Sequence, residues 1–282
     1  MFLYSLRFNS SVPYNQFLYC CVVYFTTLQE LLIINENFYE GHNMDSQKNH
    51  PPPTFGSLGL RMPDELRGPL KAHLEELKSR FLDIGWGTRS GFGERPALIV
   101  IDLALWWTLP GRPPMGSNVD TIVENTCEIL TVAREACIPI IFTTYDYDPT
   151  DPPNPHDKKC ADNIGRDDLP MFELDSRLDR KENERIIRKK YASAFKDTNL
   201  LSTLMTMGVD TLIVTGVSTS HCIYATCRDA AHTFNVVVPR QAVGERCELL
   251  HEVNLLDIDI DLGDVVELDE VIEQIKKIGI ED

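Results

Sequence analysis

The stretch GVDTLIVTGVSTSHCIYATCRDAAHTFNVVVP, Gly208 to Pro239, decides how this chain folds. Thr211 to Thr215 (TLIVT) is a continuous apolar, β-branched run, the pattern of a strand buried on both faces of a parallel sheet. A helix over Ser220 to Thr233 follows, and Asn235 to Val238 (NVVV) supplies the next strand. Strand, helix and strand at this spacing read as one βαβ unit with its strands parallel. In such sheets ligands bind at the carboxyl ends of the strands. Cys222 falls there, where the helix opens.

The same alternation extends in both directions. Upstream, Ala97 to Ile101 (ALIVI) reads as a buried strand, and Ser117 is placed to cap a helix. In that helix Val119, Ile122, Val123, Ile129, Leu130 and Ala133 share one face. Pro139 to Thr143 (PIIFT) is the next strand. A long polar excursion, Asp146 to Lys181, precedes a short strand ending near Arg188, and a helix over Thr198 to Met207 is stopped by Gly208. Downstream, a strand around Val265 and a helix over Val271 to Ile278 close the chain. Before the first strand, Leu70, Leu74, Leu77 and Phe81 recur at helical spacing and predict an amphipathic helix over 64–82. The glycine-rich GWGTRSGFGERP (Gly85 to Pro96) invites a phosphate-loop reading. Such a loop follows a strand and opens a helix, whereas this one precedes a strand, so it reads as a flexible arm.

Composition bounds the function classes. Of 282 residues 43% are hydrophobic and 25% charged, ordinary for a globular protein. A formal charge of −16 argues against nucleic-acid binding, which needs a cationic face. The eight cysteines, at 20, 21, 127, 137, 160, 222, 227 and 247, form no CxxC pair and no disulfide framework. They read as buried thiols in a reducing compartment, hence a cytoplasmic protein. Phe17 to Phe25 is too short for a membrane span, which needs roughly 20 apolar residues. Residues 1–55 are expected to be a non-core extension, disordered or an over-extended start before Met44. Residues 56–282 then form the domain with its N-terminal helical arm.

Three chemically distinct groups converge on one sheet edge: Asp102 after the first strand, Lys189 at the end of the short strand before YASAF, and Cys222. Singly each has an ordinary explanation, as a turn residue, a solvated lysine and a buried thiol. Their shared location raises all three as candidates.

At these residues the chain resembles the isochorismatase-like hydrolases. Gly208 to Pro239 is similar to their cysteine segment, KKYASAF (Lys189 to Phe195) to their lysine motif, and PALIVID (Pro96 to Asp102) to their aspartate strand. GFGERPAL, PMGS (Pro114 to Ser117) and HEVNLLDIDIDLGDVV (His251 to Val266) resemble the N-carbamoylsarcosine amidase branch. The resemblance covers roughly residues 80–280. It implies a three-layer α/β/α sandwich with a mostly parallel, Rossmann-like sheet, and a homo-oligomer, dimer or tetramer. It implies Cys222 as nucleophile, Asp102 as general base and Lys189 as the cationic member. Val217–Ser218 matches a non-proline cis peptide that would aim the Ser218 N–H beside that of Cys222, forming an oxyanion hole.

The chemistry expected is hydrolysis of a small-molecule amide or N-carbamoyl C–N bond, through a thioester and with ammonia released. A helix N-terminus and a nearby ammonium both favour the thiolate. His221 is a rival base, but neighbouring helical side chains do not face each other. It stands where relatives commonly have glycine, and Tyr224 where the branch usually has arginine. Trp106, Trp107 and Tyr145 are expected on the rim of the site, or packed on a neighbouring subunit. Arg246 is a candidate for a substrate carboxylate, or a structural ion pair. No metal or cofactor is expected. Asp257 to Asp264 imitates a calcium loop, but glycine falls at its seventh position and Leu268 at its twelfth. The Asp-x-His cluster of the nicotinamidase branch has no counterpart in Thr143 to His156. Vinyl-ether hydrolysis, nicotinamidase activity and a catalytically silent binding protein stay open as alternatives, as does the identity of the amide.

Overall fold

The computed structural model describes residues 60–109, 119–148, 150, 152, 154–159 and 169–281, all within the unit Pro51–Asp282. The expected N-terminal extension, the Ser117 cap and the PMGS segment lie outside these residues.

After an outer helix α1 (Asp64–Asp83), the chain alternates β1 (Pro96–Ile101), α2 (Leu105–Thr108), α3 (Asp120–Glu135), β2 (Ile140–Tyr145), α4 (Pro155–Lys159) and β3 (Arg185–Lys189). It continues through α5 (Leu200–Thr206), β4 (Thr211–Val217), a π-helical turn (Thr219–Ile223), α6 (Tyr224–Ala230), β5 (Asn235–Pro239) and β6 (Val243–Gly244). Then come α7 (Glu248–Asp257), a second π turn (Ile258–Leu262), β7 (Asp264–Val266) and α8 (Leu268–Glu281).

The strands form one sheet in the order β3-β2-β1-β4-β5-β7, with β6 pairing beside the end of β4, and every pairing is parallel. β1 and β4 are buried along their whole length, as apolar runs covered on both faces must be. The step from β1 to β2 runs one way across the sheet and the steps from β3 to β4 to β5 run the other. Right-handed crossovers therefore put α3 on one face and α5 and α6 on the opposite one. α8 packs against α3, completing three layers. The apolar face of α3 read from the sequence is buried: Val119, Ile122, Val123, Ile129, Leu130 and Ala133.

The sheet order reverses between β1 and β4, so a crevice opens beyond their carboxyl ends. Gly216 lets the two strands close on each other there. Its φ is +109°, and a Cβ would stand 2.0 Å from the Ile101 carbonyl oxygen.

Three expectations change. α1 forms, but none of its side chains is fully buried. The glycine-rich arm is anchored rather than loose. Ser90 and Gly91 N–H groups donate to the Asp264 carboxylate, and those of Glu94 and Arg95 to Asp210. Those carboxylates take the donors a phosphate would need. α7, which no regular apolar spacing announces, takes up most of the segment before the acidic DIDIDLGD run. Within that run Asp259 pairs with Lys78, and Asp264 holds the arm. Among the described residues no group of three or more His, Cys, Asp or Glu side chains could hold a metal ion. No described helix is long and apolar enough to cross a membrane.

Candidate active site

Asp102 leaves β1 with φ +54°, a left-handed turn that brings its carboxylate over the crevice. Thr143 in β2 fixes it: the Thr143 hydroxyl donates to Oδ1 at 2.6 Å, and the Asp102 N–H donates to the Thr143 hydroxyl oxygen at 3.2 Å. Thr143 went unnoticed as a site residue in the sequence because it is one more β-branched strand residue. Lys189 closes β3, and its Nζ lies 2.7 Å from Asp102 Oδ2, with both side chains wholly buried. The same Nζ donates to Cys222 Sγ at 3.5 Å and to the Tyr191 carbonyl at 3.1 Å. Three strand ends thus bring together the three residues read from the sequence.

Cys222 is carried on the π turn after β4. The Val217–Ser218 peptide preceding that turn is cis. The Ser218 carbonyl accepts from the N–H groups of His221 and Ile223 at 3.0 and 3.1 Å. Glu245, fully buried just past β6, clamps the turn from outside. Its Oε2 accepts from the Ser220 N–H at 2.8 Å and the Ser220 hydroxyl at 2.6 Å. A second clamp runs through Thr219, whose hydroxyl lies 3.0 Å from the Gly244 carbonyl and 2.9 Å from His251 Nδ1. A hydroxyl has one proton. If it donates to Gly244, His251 must carry its proton on Nδ1 and donate.

Burial opposes the pull toward the thiolate that the sequence expects from a helix N-terminus and a nearby ammonium. Burial pushes the Cys222 thiol up to about 12, against the opposing pull of the Lys189 ammonium. Desolvation wins because the side chain is only 3% exposed. Burial also opposes charge on Lys189, yet the Asp102 carboxylate holds its pKa above the ordinary lysine value. The resting pair is therefore a thiol beside an ammonium-carboxylate ion pair. Tyr145 adds a hydroxyl 3.9 Å from Cys222 Sγ, its own pKa raised well above the phenol value by burial. The Lys189 ammonium sits 4.2 Å from the centre of the Tyr145 ring.

A cavity of about 530 Å³ opens beside Tyr145 and His221, and its walls also include Tyr147, His156, Tyr191 and Lys196. Of the three aromatic residues expected on the rim, only Tyr145 borders it. Trp106 and Trp107 are buried within this same chain, Trp106 stacked on Phe172 at 5.5 Å and Trp107 5.3 Å from Tyr145. They support the wall from behind. His221 turns its ring to His156, at 5.1 Å, rather than to the thiol. Tyr224 points away as well, its hydroxyl donating to Asp257. Arg246 is not among the residues lining the cavity, and its Nη1 lies 3.2 Å from Glu245 Oε1.

An isochorismatase domain model matches residues 96–270. N-carbamoylsarcosine amidase of Arthrobacter sp. is 34% identical over 227 residues, covering 78% of this chain and 84% of that enzyme. Maleamate amidohydrolase of Pseudomonas putida is 35% identical over 206 residues, covering 69% of this chain and 93% of that enzyme. A cysteine hydrolase from Pseudomonas syringae pv. phaseolicola 1448A shares the fold, with a TM-score of 0.62 at 24% identity over 67% of this chain and 97% of that one. With the domain match spanning more than half of its length and a third of positions shared with each of two amidohydrolases, the chain belongs to the isochorismatase family.

Proposed function

We propose that this chain is a cysteine-dependent amidohydrolase, cleaving the C–N bond of a linear amide or ureido group and releasing ammonia. The observation that carries the reading is Lys189 Nζ standing between Asp102 Oδ2 at 2.7 Å and Cys222 Sγ at 3.5 Å. A thiol held near 12 is a poor nucleophile at neutral pH and needs a base at the moment of attack. Asp102 takes the thiol proton as Sγ bonds to the carbonyl carbon, and Lys189 stabilises the sulfur as it becomes anionic. The backbone N–H groups of Ser218 and Cys222 receive the oxyanion, a contribution of about 3–4 kcal/mol for each well-placed donor. Asp102 returns the proton to the leaving nitrogen, the C–N bond breaks and ammonia departs. Water then adds to the thioester, Asp102 accepting its proton, and collapse restores the thiol.

The substrates named for the two relatives, N-carbamoylsarcosine and maleamate, are the first to try. The scheme uses no metal or cofactor. A dimer or tetramer in the cytoplasm accompanies the reading on the strength of the family resemblance, and sedimentation tests the assembly. The decisive experiment measures ammonia release from a panel of amides and N-carbamoyl acids. Cys222→Ala and Cys222→Ser are expected to be folded and inactive, while the wild type shows an acyl adduct by intact mass. Activity above a few per cent in either variant would exclude Cys222 as nucleophile. An unreactive thiol, with no turnover on any amide, would point to the silent binding protein instead.

A further inference from the structure

We propose that His221, paired with His156, sets the acyl specificity of this site in favour of amides whose acyl part is a flat ring. The inference rests on the amidohydrolase reading and goes beyond it by naming the acyl class. Two stacked ring pairs border one cavity, which Tyr145 connects to Cys222. Tyr145 and Tyr147 lie 5.5 Å apart with 17° between planes, and His156 and His221 lie 5.1 Å apart with 14° between planes. Tyr191 adds a fifth ring to the walls. Ring pairs held nearly parallel present flat faces and edges, the geometry that a third flat group complements.

The cavity's size agrees. About 530 Å³ falls within the ~300–1,000 Å³ typical of sites for drug-sized ligands. An amide of four or five atoms would leave most of that space, and its aromatic walls, to water. A ring displaces that water. His221 is the residue to test because its ring borders this cavity together with Tyr145, whose hydroxyl lies 3.9 Å from Cys222 Sγ. Burial first, then the nearby His156, Lys189 and Arg246, hold its imidazole below the ordinary histidine pKa. The ring facing the cavity is therefore neutral at pH 7, with a π face free of the cost of a buried charge.

Benzamide and cyclohexanecarboxamide test this, since they match in size and hydrophobicity but only one is flat. The expected result is a kcat/KM ratio of about five- to tenfold in favour of benzamide in the wild type, the upper part of the range for a well-stacked ring pair. His221→Gln, polar but ringless, should bring the ratio to within about threefold of unity, and His221→Phe, a ring without the proton, should keep it. Should His221→Gln fail to fold, His156→Gln breaks the same stack from the other side. Equal rates on the two amides in the wild type, or an unchanged ratio in the glutamine variants, would overturn the inference. Release of ammonia from maleamate or N-carbamoylsarcosine but from neither ring amide would overturn it too, leaving the amidohydrolase reading intact. Failure on all four substrates would instead count against that reading.

Discussion

Lys189 carries its charge in the interior of the fold. It is wholly buried, and the Asp102 carboxylate lies against it with no route to water. Removing one member of such a pair leaves an uncompensated buried charge, at a cost of about 3–5 kcal/mol, whereas removing both costs far less. Lys189→Met should therefore lower the unfolding free energy by about that amount, and adding Asp102→Asn should recover much of it. Denaturant titration of the two single variants and the double variant measures the coupling; additive losses would mean that the two groups do not depend on each other. Ammonia release should be lost in all three. At this scale the sequence was informative about charge and less so about burial. Asp102, Lys189 and Cys222 stand out because three polar groups at strand ends are uncommon. The sequence places groups that favour the anion near Cys222, whereas burial favours the thiol, and local sequence carries no measure of burial. Trp106 and Trp107 follow a strand like rim residues, yet Phe172, from a segment far along the chain, draws them inward.

The π turn that carries Cys222 depends on partners from β6 and α7. Burial drives the His251 pKa down to about 4 from 6.5. A histidine held neutral contributes stability above its unfolded pKa, near 6.5, and that contribution falls away as pH drops from there toward 4. The full effect is up to about 3 kcal/mol. Wild-type stability should thus fall between pH 6.5 and 4, and His251→Asn should flatten that part of the profile; thermal melts across the range check it. An unchanged slope in the variant would place the acid sensitivity elsewhere. Arg246 belongs to the same assembly, since Glu245 ties it to the turn through Ser220. Arg246→Met should accordingly lower kcat/KM on charged and neutral amides by similar factors. A loss confined to carboxylate-bearing substrates, by about 2–3 kcal/mol, would restore the direct substrate contact. Strands β1 to β5 and β7 and the helices α3, α5, α6 and α8 were legible from their apolar spacing, whereas the two-residue β6 is too short to show one. α7 was not: its buried residues His251 and Leu255 include a histidine, which breaks the apolar pattern.

Across the whole molecule, one parallel sheet with its reversal between β1 and β4 gathers residues 102, 189 and 222 into a single crevice. The acidic segments that imitate cation sites are taken up by this architecture, Asp264 by the glycine-rich arm and Asp259 by Lys78 and the Val265 N–H. Dialysis against EDTA should then leave both ammonia release and the melting temperature unchanged. Loss of activity that zinc restores would require a metal in the scheme. The sequence alone determined the α/β alternation, the parallel sheet and the three polar strand ends, because hydrophobic periodicity and βαβ handedness are local or nearly local rules. Tertiary structure decided what those groups are chemically. The thiol's protonation, the turn of His221 toward His156, the burial of the two tryptophans and the tie of Glu245 to Ser220 all depend on residues distant in sequence. Solvent exclusion and ring packing arise only when separate elements close on one another.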